Sequence, residues 1–180
     1  METDTVHVYA ETPRLVLRSW KPDDLEVFAS LNADSEVMRH FPAPLSFEET
    51  KAFYDRIQDE FRRVGYGLYA VELKSTGRFI GYVGLHAFNF DVPFAPGVEI
   101  GWRLAAAYHR QGYAPEAATA VLSVAKSLGL RKLFSFTALA NTPSERVMQK
   151  IGMRRTDEFD HPAIADGHPL KRHVLYTIDL

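Results

Sequence analysis

The feature that most constrains the fold is a strand-like segment that runs through a short turn directly into a helix. From Val98 to Leu104, apolar side chains fall at alternate positions, as in a half-buried strand. The next residues, 108–117, read Tyr-His-Arg-Gln-Gly-Tyr-Ala-Pro-Glu-Ala. Apolar residues then recur at helical spacing as far as Leu128, with Pro115 suited to the first turn and Gly129 to the C-terminal cap. The sequence therefore predicts a strand joined to a helix N-terminus.

Such a junction is a suitable place for an anion. The start of a helix leaves backbone amides unpaired and carries a partial positive charge, so a turn at that point can wrap a phosphate. Gly112 permits close approach of the backbone to a ligand. Glycine also occurs in many turns for conformational reasons alone, and Gly112 by itself favours that simpler explanation. A second segment is needed to decide between the two.

That second segment lies where a predicted strand ends at Ala138 and a short helix, closed by Gly152, begins. A capping box is indicated by three residues: Thr142 as the N-cap, Pro143 at the first helical position and Glu145 at the third. This register leaves Asn141 outside the helix, with a side-chain amide free to bind a ligand. The alternative is an asparagine that only serves the turn.

Taken together, the two segments resemble those of the GCN5-related N-acetyltransferases (GNAT). The run from His109 to Ala114 is similar to their pyrophosphate loop, written as Gln or Arg, two variable residues, Gly, one variable residue, then Gly or Ala. His109 replaces the usual Gln or Arg. The continuation Pro115-Glu116-Ala117 resembles the branch that acetylates the N-termini of ribosomal proteins, the RimJ/RimL-like enzymes.

The Asn141 segment resembles the second cofactor-contacting segment of the same family. It has Asn141, two further residues, Ser144, and then a helix that ends in Lys, Ile, Gly and Met at 150–153. The resemblance extends from Arg14 to a terminal strand at Val174 to Ile178. It therefore covers nearly the whole chain as a single domain, residues 1–180.

The resemblance implies an α/β (α+β) fold with a twisted mixed central sheet, splayed parallel strands and flanking helices. The pantetheine arm of acetyl-CoA would lie between the strands 98–104 and 132–138, with the thioester near Gly101, where a residue without a side chain permits close approach. The cofactor-binding residues would be Trp102, Arg103, Leu104, His109, Arg110, Gln111, Gly112, Tyr113, Ala114, Asn141 and Ser144. If backbone amides carry the binding, the side chain of His109 should matter little.

Two residues are candidates for proton transfer. Glu99 lies on the strand face opposite Val98, Ile100 and Trp102, where a carboxylate has no role in core packing, and a base is needed to deprotonate an amine. Its alternative is a solvated carboxylate or one paired with Arg103. Ser144 is the candidate acid for the CoA thiolate, because Met148 stands where many relatives have Tyr. A purely structural serine is the alternative.

The remaining segments predict alternating strands and helices. Apolar periodicity and turn residues indicate strands at Arg14 to Trp20, Leu68 to Leu73, Phe79 to Phe88 and Lys132 to Ala138, and helices at Pro22 to Leu31 and Ser46 to Val64. The second helix begins with a capping box formed by Ser46 and Glu49, and Gly65 should end it. The order strand, helix, strand at 98–138 implies a right-handed crossover and a parallel pair.

Composition excludes several classes of protein. A chain of 180 residues with 46% hydrophobic residues can fill one core, and a net charge of −2 gives no bulk attraction to nucleic acid or to an anionic membrane. The absence of Cys excludes disulfides and a thiol nucleophile. Without a long apolar stretch or a signal-peptide pattern, a cytoplasmic protein is expected. The spacings of His161, His168 and His173 match no compact ligand motif, so no metal is expected.

The acceptor side is the least constrained by sequence. Three segments, 34–47, 88–96 and 157–169, share aromatic, Pro and acidic residues, and acidic walls would attract a cationic amine, although simple solvation explains each carboxylate. The expected partners are acetyl-CoA and an amine, either a peptide N-terminus or a small molecule. A non-catalytic acyl-CoA sensor or protein-interaction module is the alternative function. Aromatic residues outside the core fit a substrate pocket or a homodimer interface equally well.

Overall fold

The computed structural model describes residues 5–180, and within them the chain forms one eight-stranded sheet with helices on both faces. The strands are β1 (Val8–Glu11), β2 (Leu15–Arg18), β3 (Leu68–Leu73), β4 (Arg78–Phe88), β5 (Gly97–Leu104), β6 (Lys132–Ala138), β7 (Arg154–Asp160) and β8 (Arg172–Asp179). The helices are α1 (Asp24–Ala33), α2 (Phe47–Val64), α3 (Tyr113–Ser127) and α4 (Thr142–Lys150), with a short 3₁₀ turn at Ala106–Tyr108.

The sheet is mixed, as predicted, and its strand order is β1-β2-β3-β4-β5-β6-β8-β7. All neighbouring strands are antiparallel except β5 and β6, which are parallel. These two strands pair only through Glu99 and Phe134, whereas β5 pairs with β4 along its whole length. A gap therefore opens between β5 and β6 beyond Glu99. This is the splayed pair that the resemblance implied.

The two faces of the sheet carry separate cores. On one face, α1 and α2 pack over a cluster that includes Phe28, Ile57 and Tyr82. On the other face, α3 and α4 pack over a larger cluster that includes Ile100 and Leu104 of β5. Because side chains alternate along a strand, Glu99, Gly101 and Arg103 project from β5 towards the α1/α2 face. The register supports this, since Arg103 lies opposite Tyr82.

Local signals placed α2 correctly. The Ser46 side chain accepts a hydrogen bond from the amide of Glu49, and the Glu49 carboxylate accepts one from the amide of Ser46, which completes the predicted capping box. Gly65 ends the helix in the left-handed conformation with φ of 78°. α1 begins at Asp24, two residues beyond the predicted start.

Strands β1 and β7 were not predicted, and both lie at the edges of the sheet. Edge strands are commonly short or carry charged side chains, which discourages pairing with other chains and weakens an apolar alternation. β7 illustrates this, since its first four residues are all exposed and include two arginines and an aspartate. The sequence signal for these strands was therefore too weak to detect.

Gly84 and Gly101 are paired across β4 and β5 but have different surroundings. A Cβ atom on Gly84 would lie 2.3 Å from the carbonyl oxygen of Gly67, whereas one on Gly101 would meet only Oε1 of Glu99, at 3.7 Å. We therefore expect Gly84→Ala to lower the free energy of unfolding by about 2 kcal/mol or more, because the neighbouring backbone must shift. Gly101→Ala should change it by less than about 1 kcal/mol. Urea denaturation followed by tryptophan fluorescence tests this, and equal losses at the two positions would contradict it.

Candidate active site

The gap between β5 and β6 presents backbone groups that no strand satisfies. The amide of Ala105 donates to the carbonyl of Ile80, on the β4 side, with a distance of 2.9 Å. Amides alternate in direction along a strand, so those of Trp102 and Leu104 point into the gap and that of Arg103 points towards β4. Trp102 and Leu104 therefore line a slot that is suited to an extended ligand, and their contact with a cofactor stays a prediction.

The turn before α3 is an open cradle of amides. In the hydrogen-bond network of residues 5–180, the amides of Arg110, Gln111, Gly112, Tyr113 and Ala114 have no acceptor. Arg110 and Gly112 both adopt left-handed backbone conformations, with φ of 60° and 80°. Such turns direct neighbouring amides to a common side, and the positive end of the helix dipole adds to their field. The geometry is suited to an anion at the end of the gap.

Arg14 and Glu116 form hydrogen bonds that stabilise the turn before α3. The Glu116 carboxylate accepts hydrogen bonds from Nε of Arg14 at 2.7 Å and from the hydroxyl of Thr12 at 2.6 Å. Nη1 of Arg14 also donates to the carbonyl of Gln111, and its guanidinium lies 4.2 Å from the centre of the Tyr113 ring. Arg14, the residue just before β2, therefore stabilises the conformation of the turn. Sequence reasoning missed this support because the two partners lie 102 residues apart.

Two side chains of the loop already contact backbone carbonyls next to the turn. Nε2 of His109 lies 2.7 Å from the carbonyl oxygen of Leu104, and Nε2 of Gln111 donates to the carbonyl of Ala107 at 2.7 Å. His109 thus ties the loop to the end of β5. This is compatible with the prediction that the backbone of this segment, and not the His109 side chain, would bind an anion.

The predicted start of α4 is wrong by one residue. The N-cap is Asn141, not Thr142, and its side-chain oxygen accepts a hydrogen bond from the amide of Ser144 at 3.3 Å. In this register Pro143 stands at the second helical position, where its missing N–H needs no acceptor. Glu145 does not complete a capping box, since its carboxylate accepts from the hydroxyl of Tyr176 at 2.7 Å.

The side chain of Asn141 is consequently not free, contrary to the prediction. Its amide nitrogen donates to the hydroxyl oxygens of Thr137, at 2.8 Å, and Ser144, at 3.1 Å. Asn141 is buried and joins the end of β6 to the first turn of α4. Ser144, the neighbouring candidate, has a side chain that is only partly buried.

Arg103 was expected to contact the cofactor, and the structure places it elsewhere. Its amide points towards β4, and its side chain lies on the α1/α2 face, where Nη1 donates to Oδ1 of Asn32 at 2.8 Å. The guanidinium stacks 4.4 Å from the ring centre of Phe41. The suggested pairing of Arg103 with Glu99 is likewise absent from the ion pairs of the described chain.

Glu99 lies beside the gap in a poorly solvated environment. Burial, together with the nearby carboxylate of Glu60, raises the pKa of Glu99 from 4.5 to about 7, although the neighbouring His86 opposes the rise. Its Oε1 is the one atom within 4 Å of the Cβ position on Gly101, so the carboxyl group leans over an otherwise open surface. A carboxylate with such a pKa can accept a proton near neutral pH.

His86 and Glu60 form a pair next to Glu99 that sequence reasoning did not identify. His86 faces Glu99 across β4 and β5, and its Nδ1 lies 2.8 Å from Oε2 of the buried Glu60. The hydrogen bond that the Glu60 carboxylate accepts raises the pKa of His86, against the effect of burial. Only the strand register could have revealed this arrangement.

An aromatic wall lines the same face as Glu99. Two of the predicted acceptor segments meet there, since the rings of Phe90 and His161 are 4.9 Å apart and those of Phe94 and Phe159 are 5.1 Å apart. Phe134 of β6 stacks on Phe94 at 5.6 Å. The wall therefore stands directly beside the point where β5 and β6 separate.

The acidic residues near this wall are paired with basic ones. Glu158 contacts Arg155 at 2.7 Å, Asp160 contacts Arg172 at 3.4 Å and Asp166 contacts Lys171 at 3.1 Å. These carboxylates thus do not form the bare acidic wall considered from sequence. Among residues 5–180, no three His, Cys, Asp or Glu side chains are grouped to hold a metal ion, and no helix is both long and apolar enough to cross a membrane.

Comparisons with known proteins agree with this geometry. A family model described as an acetyltransferase (GNAT) domain matches residues 14–154. YnaD of Bacillus subtilis, named as an uncharacterised N-acetyltransferase, is 30% identical over 173 residues, which cover 95% of this chain and 96% of that protein.

Solved structures share the fold. A GNAT-family acetyltransferase from Bacillus anthracis is 30% identical with a TM-score of 0.76, covering 94% of this chain and 96% of that one. Mycobacterium smegmatis RimJ, solved in complex with CoA-disulfide, has a TM-score of 0.74 at 18% identity, covering 97% of this chain and 85% of its own.

The raised pKa of Glu99 predicts a pH-dependent penalty on stability. Between its ordinary pKa of 4.5 and its native pKa of about 7, the native state binds more protons than the unfolded state, so stability falls as pH rises through this window. Glu99→Gln cannot ionise and avoids the fall. The amount by which its free energy of unfolding exceeds that of the parent should therefore be about 1 to 3 kcal/mol larger at pH 8.5 than at pH 5. Urea denaturation at both pH values measures this, with the exposed Glu36→Gln as the control. A difference that does not vary with pH would contradict it.

Proposed function

The chain belongs to the GNAT family of acetyltransferases, and on that premise we propose that it transfers the acetyl group of acetyl-CoA to a primary amine. The acceptor is a protein N-terminus or a small molecule, and the transfer is direct, within a ternary complex of protein, acetyl-CoA and amine. With no Cys in the chain, an acetyl-cysteine intermediate is excluded.

The observation that carries this proposal is the set of free amides at 110–114 at the end of the β5/β6 gap. They are suited to the pyrophosphate of CoA, and the gap is suited to its pantetheine arm, which would pair with the backbone of Trp102. The acetyl group would then reach the surface over Gly101, beside Glu99. A CoA complex among the structural neighbours, that of RimJ, is consistent with this use of the fold.

Glu99 is proposed as the general base. An acceptor amine is mostly protonated at neutral pH and cannot attack until it loses a proton. A carboxylate with a pKa of about 7 can take that proton directly or through a water. The amine nitrogen then forms its bond to the carbonyl carbon, and an amide in the gap stabilises the oxyanion of the tetrahedral intermediate. As the intermediate collapses, the carbon–sulfur bond breaks and the nitrogen loses its second proton to solvent, which balances the proton that the thiolate gains.

The departing thiolate requires a proton or a nearby dipole. Ser144 is the proposed donor, since it is a partly buried hydroxyl at the N-terminus of α4. Its oxygen already accepts a hydrogen bond from Asn141, which leaves the hydroxyl hydrogen available for another partner. Met148, the position of a Tyr in many relatives, is buried and cannot donate.

The RimJ/RimL-like branch remains a proposal that rests on the Pro115-Glu116-Ala117 run. In this structure Glu116 holds Arg14 and the loop, so the run supports the shape of the cofactor site. It therefore does not determine whether the acceptor is a protein N-terminus or a small molecule.

The general-base role predicts the behaviour of Glu99→Gln. We expect kcat/KM to fall by about 100-fold or more, because positioned acid–base catalysis typically contributes that much. In the parent, kcat/KM should rise as pH passes through 7, and the variant should retain only the dependence due to the acceptor amine itself. Thiol release from acetyl-CoA provides the assay.

Calorimetry with CoA is the companion measurement, since affinity should be unchanged in the Glu99→Gln protein. Full activity in the variant would exclude Glu99 as the base. CoA binding without thiol release, for every amine and N-terminal peptide tested with the parent, would favour the non-catalytic sensor.

The cradle predicts a specific sensitivity at Gly112. Val at this position would strain the left-handed backbone and approach Nη2 of Arg14, 3.3 Å from the Cβ position. We expect Gly112→Val to weaken CoA binding by about 100-fold or more, because charge-assisted hydrogen bonds to the pyrophosphate are lost.

Gly129 provides a matched control at the opposite end of α3. Its φ is 82° and no atom lies within 4 Å of its Cβ position, so Gly129→Val carries a similar backbone strain away from the cradle. It should lower stability and leave the CoA affinity of the folded protein intact. Equal CoA affinity in the two folded variants would refute the cradle.

A further inference from the structure

Arg103 is a buried positive charge for which the described chain supplies no negative partner. It is 9% exposed, and none of the ion pairs formed by residues 5–180 includes it. Other buried charges behave differently, since Arg18 pairs with Asp24 and Glu60 pairs with His86. Buried ions are normally paired, so Arg103 indicates a partner that comes from outside the chain.

The guanidinium is held with one edge available. Nη1 donates to Asn32, whose own side-chain nitrogen donates to the hydroxyl of Thr50 at 3.3 Å and so fixes its oxygen towards Arg103. Nε of Arg103 is buried and has no hydrogen-bond partner in the part of the chain that the structure describes. Nε and Nη2 together form the side edge of the guanidinium, which matches the two oxygens of a carboxylate.

Aromatic rings fix the plane of the group. Phe41 stacks at 4.4 Å from the guanidinium carbon, with Tyr82 at 5.5 Å and Phe53 at 5.7 Å. Stacking contacts occupy the flat faces and leave the edges for hydrogen bonds. Phe41 is 39% exposed, so the ring on one face of the guanidinium reaches the protein surface.

The position of Arg103 relates it to the acceptor. Arg103 and Glu99 project from the same face of β5, with the open surface of Gly101 between them. Both charges act on the hydroxyl of Tyr82. Beyond the effect of burial, Arg103 lowers the pKa of Tyr82 and Glu99 raises it. A molecule whose amine lies at Glu99 therefore has Arg103 towards its other end.

We propose that Arg103 binds a carboxylate of the acceptor, so that the substrate is a small primary amine that also carries a carboxylate. This inference rests on the proposed function and narrows its acceptor class. The carboxylate would occupy the Nε and Nη2 edge of Arg103, and the amine would face Glu99 and the thioester.

Pairs of acceptors that differ only in charge test the proposal. The carboxylates 5-aminopentanoate and 6-aminohexanoate are compared with their amides, because the distant group changes the basicity of the amine little. We expect kcat/KM for each carboxylate to exceed that for its amide by about 10-fold or more, since a charge-assisted bidentate contact is lost. Arg103→Gln should reduce this ratio to near one, mainly through KM, and Arg103→Lys should retain part of it.

Arg39→Gln is the matched control, because Arg39 is an exposed arginine in the same segment as Phe41 and bonds only to His40. It should keep the full preference. Thermal melting and CoA calorimetry confirm that each variant is folded. Equal kcat/KM for the two members of a pair in the parent would overturn the inference, as would an equal loss for both members in Arg103→Gln.

Failure of the proposed function is distinguishable from failure of this inference. If no amine releases thiol, the transferase proposal falls, and titration of 5-aminopentanoate into the CoA complex still tests the carboxylate site. Binding that Arg103→Gln abolishes would support the site, whereas absence of binding to the parent would overturn it. Longer peptides with an acidic second residue are tested as a third class of acceptor. A higher kcat/KM for these peptides than for 5-aminopentanoate and 6-aminohexanoate would overturn the assignment of a small-molecule substrate.

Discussion

The structure depends on the failure of β5 and β6 to pair beyond a single position. Gly97 lies close against Phe88 and Phe134, where an added Cβ would meet both rings within 3 Å, so the two strands stay together at that end. At the other end, His109 engages the carbonyl of Leu104 from the loop side. Parallel neighbours normally satisfy each other's backbone, and here the unsatisfied groups of β5 face a gap that a ligand has to fill. The same divergence places the start of α3, with its free amides, at the mouth of that gap.

Charges on the α1/α2 face are arranged along β5 in a fixed order. Glu99 stands where the gap opens, Gly101 leaves the surface open, and Arg103 follows with a buried guanidinium. Arg103 contacts Asn32 and Phe41, His86 acts on Glu99, and the two charges form no ion pair within the described chain. This is the arrangement expected when a ligand with two opposite charges completes the site.

Sequence patterns captured the parts of the molecule that local chemistry determines. Ser46, Glu49 and Gly65 define the ends of α2 through contacts within a few residues, and the 98–117 run defines a strand, a turn and a helix start in the same way. The predicted N-cap of α4 was wrong because Asn and Thr are both good N-caps. Only the hydrogen bond from the Asn141 side chain to Thr137 decides between them. The Arg14–Glu116 pair and the position of His86 opposite Glu99 depend on strand order and register, which no local pattern contains.

The His86–Glu60 pair explains how a partly buried carboxylate keeps a pKa near neutrality. Burial alone would make Glu99 a weak acid that stays protonated and cannot act as a base. His86, held by Glu60, places partial positive charge opposite Glu99 and limits the rise in pKa, while the Glu60 carboxylate acts in the other direction. The balance leaves Glu99 with a pKa of about 7, near the value at which a base combines availability with strength. The pKa of Glu99 is therefore set by Glu60, His86 and Glu99 itself, from α2, β4 and β5, so that α2 contributes to the proposed general base as well as to the fold.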